Sequence, residues 1–288
     1  MITNEANKYL KARALPEWSE KIKGKKQIHE TAKIGKNVVI NCNDFTLGKN
    51  SIIKDNCIIN CNNFSAGEGL YMCEGVEVGR GGCFGPNSNV YIGNNVGIFE
   101  KTIINPSDEV YIGDNVGIGG EVAIWTHGAW LDVMQGFPAD FGPVRIGDNV
   151  WLPARSIVLP NVEIGKNTVI GIGSIINRSI PEGCFAAGSP CKVINKNCYP
   201  KELTDEEKYN ILVDIVKDYI ELMKFKGLKA GIEVNPDKLV LERIGGKTIF
   251  NIEKRTIEGY EDKISEDMRD YLRRRGVKIF TGKPFKSI

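Results

Sequence analysis

The sequence has little histidine, no excess of charge of either sign and no long apolar run. Its 288 residues include 38 Lys or Arg and 36 Asp or Glu, so the formal net charge is only +2. This balance gives no electrostatic reason to expect a nucleic acid or a membrane surface as a partner. No stretch approaches the roughly 18 apolar residues of a membrane helix, and the first residues lack the apolar core of a signal peptide. We therefore expect a soluble cytoplasmic protein.

The eight cysteines contain no C-x-x-C pair. Structural zinc sites and thioredoxin-like redox sites use such pairs, so neither kind of site is favoured. In a chain without a secretion signal, thiols stay reduced. We expect these cysteines to serve as small apolar side chains.

Glycine and asparagine are concentrated in one part of the chain. Residues 28–197 hold 24 of the 32 glycines and 20 of the 25 asparagines. This composition separates a central domain from a segment at residues 1–27 and another at residues 198–288. We expect a short helix and a linker in the first of these, and a small α+β appendage in the last. In the appendage we expect a helix that begins at the capping box Thr204–Glu207, a hairpin with the two-residue turn Gly245–Gly246, a second helix at about 265–275 and a last strand at 277–280.

The central domain carries a six-residue repeat. Its signature is Ile or Leu, then Gly, then Lys, Asp or Asn, then Asn, then a small or β-branched residue. Six copies occur, at Ile34–Val38, Leu47–Ser51, Ile92–Val96, Ile112–Val116, Ile146–Val150 and Ile164–Thr168. The aliphatic position also recurs every sixth residue at Leu152, Val158, Ile164, Ile170 and Ile176. Such a period indicates a repeat architecture rather than a conventional globular sheet.

One aliphatic residue and one turn per six residues describe a short strand followed by a tight corner. Asn and Gly tolerate the left-handed backbone conformation that such corners use. Three edges make one coil of eighteen residues, and stacked coils bury a continuous apolar core. The repeat therefore predicts a β-solenoid of about eight coils, roughly 40 Å long at the usual strand spacing. The repeat itself leaves the handedness open.

The repeat is interrupted by one large excursion that begins beside a histidine. Ile124 and Ile146 are 22 residues apart where six are expected, so we predict a protruding loop at 128–143. Long loops on rigid scaffolds commonly carry function. His127 stands directly before this loop, and an imidazole there can act as a general base. The other histidine, His29, lies in an ordinary first coil, and we expect its role to be structural.

The repeats, the loop after His127 and the ending Ala186–Ile194 resemble the hexapeptide-repeat acyltransferases, especially the galactoside and maltose O-acetyltransferases. The resemblance covers about residues 28–195. It implies an all-β, left-handed parallel β-helix, a homotrimer, and acetyl-CoA bound in a groove between adjacent prisms. It implies no metal.

The resemblance also implies roles for individual residues. His127 takes the position of the catalytic base and Trp151 that of a tryptophan beside the reacting centre. Trp151 and Trp125, which stands two residues before the base, are candidates for binding the substrate. The residues that correspond to the lining of the CoA channel are Ala154, Ile172, Asn177 and Lys192. An asparagine that the sugar acetyltransferases carry about one coil before the base aligns with Ile98. The nearby polar residues Glu100 and Asn105 are therefore our candidates for binding the acceptor.

These features predict transfer of acetyl from acetyl-CoA to a hydroxyl of a carbohydrate, in polysaccharide biosynthesis. One alternative is N-acylation of an amino sugar carried on a nucleotide, which the missing asparagine and the C-terminal appendage favour. A second alternative is a scaffold subunit without catalysis, although a scaffold has no need of a long loop beside a histidine. A zinc hydratase on this fold requires three histidine ligands, and the chain has two.

Overall fold

The structure is a computed structural model that describes residues 18–79, 85–283 and 285. The chain divides into two compact units, residues 1–200 and residues 201–288. The predicted N-terminal helix falls on residues before Trp18, outside the described residues. Within the described part, no helix is both long and apolar enough to cross a bilayer.

The first unit consists of short strands separated by tight turns. The strands before the midpoint are β1 (Trp18–Ile22), β2 (Lys26–Ile28), β3 (Lys33–Ile34), β4 (Val38–Cys42), β5 (Asp44–Leu47), β6 (Ile52–Ile53), β7 (Ile58–Asn60), β8 (Asn63–Ala66), β9 (Tyr71–Met72), β10 (Glu77–Val78), β11 (Asn89–Ile92), β12 (Gly97–Ile98) and β13 (Ile103–Asn105). The remaining strands are β14 (Val110–Ile112), β15 (Gly117–Ile118), β16 (Ala123–Trp125), β17 (His127–Gly128), β18 (Asp140–Phe141), β19 (Val144–Ile146), β20 (Trp151–Leu152), β21 (Ile157–Val158), β22 (Glu163–Ile164), β23 (Val169–Ile170), β24 (Ile175–Ile176), β25 (Phe185–Gly188) and β26 (Cys191–Asn195).

All of these strands except β17 and β18 form three sheets of mainly parallel strands around one core. Face A contains β1, β4, β7, β10, β13, β16, β21 and β24; face B contains β2, β5, β8, β11, β14, β19 and β22; face C contains β3, β6, β9, β12, β15, β20, β23 and β25, with β26 added antiparallel at its end. Each strand pairs with the strand one coil further along the chain, as Ile59 pairs with Ile40 and Val78. The predicted β-solenoid is confirmed as a parallel β-helix with three faces.

The core is formed by the aliphatic position of the repeat. The predicted inward residues Leu152, Val158, Ile164, Ile170 and Ile176 are at most 1% exposed. Near the N-terminal end, Phe45 and Phe64 stack with ring centroids 5.3 Å apart. Burying each such side chain contributes about 1.5–3 kcal/mol before entropy losses. The described cysteines are free thiols, and all except Cys198 are buried, so their predicted use as apolar side chains is confirmed.

Asparagine and glycine have different tasks in the repeat. The asparagines of the six pentads all adopt left-handed backbone angles, with φ between 55° and 57° at Asn37, Asn50, Asn95, Asn115, Asn149 and Asn167. The glycines two residues earlier do not adopt positive φ. A Cβ on Gly113 lies 2.8 Å from the backbone nitrogen of Asp148 in the next coil. The predicted left-handed role is therefore right for asparagine and wrong for these glycines, which instead allow the coils to approach.

Asn149 offers a test of this division. We expect Asn149→Ala to lower the free energy of unfolding by about 1–2 kcal/mol, because an alanine Cβ is strained in the left-handed region. Asn149→Gly removes the same amide hydrogen bonds, to Asn115 (2.8 Å) and Asn167 (3.1 Å), and relieves the strain. Urea unfolding of both variants measures the difference. Equal losses would contradict a backbone role.

Two parts of the N-terminal half differ from the prediction. The segment predicted as a linker contains β1 and β2, which pair with β4 and β5. Its lysines are exposed, so the sequence resembles a linker although the backbone is paired. A second insertion is also present. Between its inward residues on faces A and B, one coil takes five residues, from Ile59 to Phe64, and the next takes twelve, from Val78 to Val90. The repeat is therefore interrupted here as well as at the predicted loop.

The second unit is a four-stranded antiparallel sheet with two helices, in agreement with an α+β appendage. Helix α1 (Asp205–Phe225) begins at the capping box of Thr204 and Glu207, as predicted. The strands are β27 (Gly231–Val234), β28 (Lys238–Arg243), β29 (Gly246–Asn251) and β30 (Thr256–Gly259), followed by α2 (Lys263–Arg274). The apolar side chains of both helices and the sheet share one core.

Details of the second unit correct the sequence prediction. Arg243 pairs with Gly246, so the turn of the central hairpin lies at residues 244–245 rather than 245–246. Residues 277–280 form no strand, because Val277 and Ile279 pack against the helices instead of extending the sheet. The outer strands β27 and β30 were not predicted, since each has only four residues.

Candidate active site

The predicted base, His127, lies where the chain leaves the β-helix. Strands β17 and β18 form an antiparallel ribbon in which His127 is opposite Phe141. The base of this ribbon is fixed by the buried Thr126. Its hydroxyl donates to the carbonyl oxygen of Asn105 at 2.7 Å and accepts from the backbone N–H of Asp108 at 2.9 Å. The imidazole is therefore attached to a rigid coil rather than to the free part of a loop.

Three side chains surround the half-buried imidazole of His127. The Phe141 ring stacks on it, with centroids 5.9 Å apart and planes 24° apart. The Trp125 ring meets it edge-on at 6.1 Å and 72°. The Ser107 hydroxyl lies 2.9 Å from Nδ1. These contacts restrict the ring on several sides, which is what a general base requires for directed proton transfer.

The excursion itself is an exposed apolar loop. Trp130 is 95% exposed and Met134 is 89% exposed. The loop is locally ordered by a 3-10 turn at Val133–Gln135, where the Asp132 side chain accepts from the Met134 N–H at 2.9 Å and Gly136 ends the turn in a left-handed conformation. An apolar surface of this kind beside a polar centre is typical of a binding site.

Several predicted residues lie at another edge of the prism, the corner between faces C and A. Glu100, Gly120, Ala154 and Ile172 occupy equivalent positions in successive coils there. The carbonyl oxygen of each of the first three accepts a backbone hydrogen bond of 2.8–3.1 Å from the next coil, from Glu121, Arg155 and Gly173 respectively. Ile172 is 75% exposed and Ala154 is half-buried. Ala154 and Ile172 thus adjoin each other, as a common channel lining requires. His127 lies at the opposite edge of face A.

Glu100 differs from its neighbours on this corner because it accepts a hydrogen bond from a thiol. The Sγ of buried Cys73 lies 3.0 Å from Oε1 of Glu100. This hydrogen bond lowers the pKa of the exposed Glu100 carboxyl. Burial, and then the contact with Glu100, raises the pKa of Cys73. Glu100 is therefore a carboxylate at neutral pH and Cys73 a thiol.

Trp151 projects outward from face C, where Gly117 makes room for it. It pairs with Gly117 of β15, which in turn pairs with Gly97 of β12. A Cβ on Gly117 would lie 2.6 Å from the indole ring, so the ring covers this glycine. Neither glycine has positive φ. Gly117 therefore provides space for the indole ring, whereas a Cβ on Gly97 would lie 3.3 Å from the Phe99 ring. Trp151 remains 43% exposed.

The remaining predicted residues occupy separate places. Asn177 follows β24 at the corner between faces A and B, in register with Trp125 two coils earlier. Lys192 is exposed on β26, at the end of face C. Asn105 is only 1% exposed. Its side-chain Oδ1 accepts a hydrogen bond from the Ser107 hydroxyl at 3.4 Å. Its contact with an acceptor stays a prediction.

His29 has a local role, in agreement with the expectation. Its Nδ1 lies 2.9 Å from the Thr31 hydroxyl and accepts from the Thr31 N–H at 3.2 Å. These contacts close the turn between β2 and β3. Within the described residues, no three His, Cys, Asp or Glu side chains are gathered as a metal site requires.

Ser107 is the site residue that the sequence reasoning missed. It stands twenty residues before His127 in an Asn-Pro-Ser segment without a recognised motif. Asn105 pairs with Trp125 across the two coils, so the residues two further on, Ser107 and His127, also lie together. Aligning the coils in register would have found it.

Comparisons with known proteins agree with the repeat. Residues 143–178 match the family described as bacterial transferase hexapeptide (six repeats). A Saccharomyces cerevisiae protein, provisionally named an acetyltransferase, is 47% identical over 112 residues, which are 38% of this chain and 57% of that protein. The galactoside O-acetyltransferase of Escherichia coli is 42% identical over 72 residues, 25% of this chain and 32% of the enzyme. The chain thus spans little more than half of one relative and a third of the other.

Solved structures show weaker likeness. A polysialic acid O-acetyltransferase is 19% identical with a TM-score of 0.46, covering 65% of this chain and 92% of that chain. A galactoside acetyltransferase in complex with coenzyme A is 17% identical with a TM-score of 0.28, covering 73% of this chain and 76% of that chain. The predicted resemblance of the repeat region to hexapeptide-repeat acetyltransferases is confirmed by the family match and the named relatives.

Proposed function

We propose that this protein transfers acetyl from acetyl-CoA to a hydroxyl of a carbohydrate, with His127 as general base. The observation that carries the proposal is the fixed imidazole of His127 at the root of an exposed aromatic loop. The similarity of the repeats to galactoside O-acetyltransferase supports both the donor and the acceptor class. A left-handed helix and a role in polysaccharide biosynthesis, both implied by the resemblance, are part of this proposal.

The outer surfaces of the prism support a homotrimer. The outward positions of face A are mostly apolar: Val39, Ile58, Glu77, Ile103, Ala123, Ile157 and Ile175. Face C is apolar as well, with Ile52, Tyr71, Gly97, Gly117, Trp151 and Val169. Face B instead carries Thr46, Ser65, Tyr91, Tyr111, Arg145 and Glu163. Two different apolar faces can pack head-to-tail and close a ring of copies.

We propose that predicted site residues of two copies line the groove between them in such a ring. Face A of one copy, which ends at His127, then faces Trp151 on face C of the next. Ala154 and Ile172, at the corner joining these faces, and Lys192 at the end of face C are available to the CoA chain, with the lysine as a point charge for a phosphate. We therefore place the acetyl-CoA groove between adjacent prisms.

In the proposed reaction, one proton passes from the acceptor hydroxyl to His127 and then to the CoA thiolate. The acceptor hydroxyl attacks the thioester carbonyl, and His127 takes its proton as the new oxygen–carbon bond forms. Backbone N–H groups at the coil corners stabilise the oxyanion. The carbon–sulfur bond then breaks, and the protonated imidazole returns the proton to the leaving thiolate of CoA.

The carboxylate of Glu100 favours a second candidate, N-acylation of a nucleotide-linked amino sugar. It occupies the region where the sugar acetyltransferases carry an amide, and a carboxylate attracts an ammonium group better than it stabilises an oxyanion.

A panel of sugars, amino sugars and nucleotide sugars, assayed with acetyl-CoA by mass spectrometry, tests the function. Mild alkali then separates a labile ester from a stable amide. An alkali-labile product on a sugar supports the proposal, and an alkali-stable product supports the second candidate. No transfer to any acceptor, together with no binding of CoA, supports the scaffold alternative.

The role of the second unit can be tested by ending the chain at Pro200. We expect this shorter protein to fold, to remain a trimer and to bind CoA, because each unit has its own core. Sizing chromatography and acceptor KM are the measurements. A change in KM alone assigns the second unit to the acceptor site, whereas loss of the trimer would contradict the expectation.

A further inference from the structure

The imidazole of His127 is held in its plane by aromatic rings, but these rings do not distinguish its two edges. The stacked Phe141 and the edge-on Trp125 contact the ring without hydrogen bonds. Rotation by half a turn about the bond to the ring exchanges a nitrogen for a carbon at nearly the same energy in such contacts. A directional partner is needed to fix which nitrogen faces an acceptor.

Ser107 supplies that partner. Its Oγ lies 2.9 Å from Nδ1 of His127, within hydrogen-bond distance. The serine is carried by the coil beneath, where pairing between β13 and β16 sets its register. The contact therefore joins two rigid coils and does not depend on the exposed loop.

The direction of this hydrogen bond follows from the residue behind it. Ser107 also donates to Oδ1 of Asn105 at 3.4 Å, and Asn105 is buried. A hydroxyl has one proton to donate and two lone pairs to accept with. With its proton directed at Asn105, Ser107 accepts from Nδ1–H of His127, which leaves the lone pair on Nε2.

This arrangement serves both protonation states of the base. When Nε2 takes a proton, Nδ1–H continues to donate to Ser107, so no hydroxyl needs to turn during the reaction. In the opposite tautomer Ser107 would donate to Nδ1 and would have to reverse when the ring becomes positively charged. Preorganisation of this kind avoids reorganisation at the moment of proton transfer.

We propose that Ser107, supported by Asn105, is a positioning residue that keeps His127 in the Nδ1–H tautomer with Nε2 as the base. The inference rests on the proposed function in assigning catalysis to His127. The tautomer itself is a property of the folded protein and can be observed without substrate.

The direct experiment is ¹⁵N NMR of the imidazole at a pH where the ring is neutral. The chain has two histidines, so the His29→Ala background leaves His127 as a single pair of ring nitrogens. We expect a protonated Nδ1 and an unprotonated Nε2. A protonated Nε2 in this protein overturns the proposal without any change at Ser107.

Substitution of Ser107 then tests its effect on catalysis. We expect Ser107→Ala to lower kcat by about 10- to 100-fold, the usual cost of removing a partner that orients a histidine. Acceptor KM should stay unchanged and the ¹⁵N pattern should become a mixture of tautomers. Ser107→Thr keeps the hydroxyl and should recover both readouts. Ser65→Ala, on the outside of face B, is the matched control and should have no effect.

The outcomes separate this inference from the proposed function. Unchanged kcat and an unchanged ¹⁵N pattern in Ser107→Ala contradict the positioning role. A second outcome is that Ser107→Ala shifts the ¹⁵N pattern while His127→Ala keeps full activity. In that case the assigned base is wrong and the tautomer assignment stands. If Ser107→Ala fails to fold, the tautomer of the His29→Ala protein and the kcat of Ser107→Thr decide the question.

Discussion

His127→Ala is expected to lower kcat by about 10²- to 10⁴-fold, or about 3–5 kcal/mol of activation barrier. The imidazole is the titratable group at the root of the exposed loop, and it is held by Ser107 and by the rings of Trp125 and Phe141. Its removal leaves these neighbours without a proton acceptor to position. Steady-state kinetics on an acceptor identified by the panel measure the loss.

His29→Ala is the matched control, since it removes the other histidine of the chain. Its contacts with Thr31 close a turn in the first coil, so kcat should be nearly unchanged. Equal effects of the two substitutions in folded proteins would show that the base is wrongly assigned. Activity of His127→Ala that recovers as pH rises would indicate an acceptor that loses its own proton, as an amine does.

The fold was largely predictable because the six-residue repeat determines both the strand length and the position of each turn. An aliphatic residue every sixth position fixes which side chains point inward, and Asn149 and its equivalents mark the corners through a conformation that few other residues tolerate. The N-terminal strand β1 escaped prediction because its sequence, Trp18–Ile22, lacks the six-residue signature although the strand pairs with β4. The insertion after Val78 escaped because neighbouring turns share its composition.

The site was predictable only in part. His127 could be found because histidine is rare in this chain and because a break in the repeat follows it. Ser107 could not be found from spacing along the chain, since its contact with His127 arises from stacking of coils twenty residues apart. Asn105 is buried, and the sequence around it does not indicate whether its side chain points into the core or toward solvent.

The placement of the predicted CoA residues has a consequence for assembly. Ala154 and Ile172 lie at one edge of face A, and His127 lies at the other edge. A single prism therefore does not gather the donor residues and the base at one point. The proposed catalytic centre requires residues from two copies, so activity should fall when the protein is diluted until the trimer dissociates.

CoA is expected to stabilise the first unit against unfolding. A ligand that binds only the folded state adds RT ln(1 + [L]/Kd), which is about 2.7 kcal/mol at a hundredfold excess over Kd. For a unit of this size, that gain corresponds to a rise in Tm of about 5–10 °C. Differential scanning calorimetry with CoA and with acetyl-CoA measures the shift.

The two units make this measurement specific. Because residues 201–288 have their own core, their unfolding provides an internal reference whose Tm should not move with CoA. His127→Ala should keep the full shift, since the imidazole is assigned to the proton and not to donor binding, whereas Lys192→Ala should reduce it if the lysine meets a CoA phosphate. No shift at millimolar CoA, with the state of assembly unchanged, would contradict the acetyltransferase proposal and favour a scaffold. The reason is that a groove between adjacent prisms that binds the donor must make the assembled state more stable.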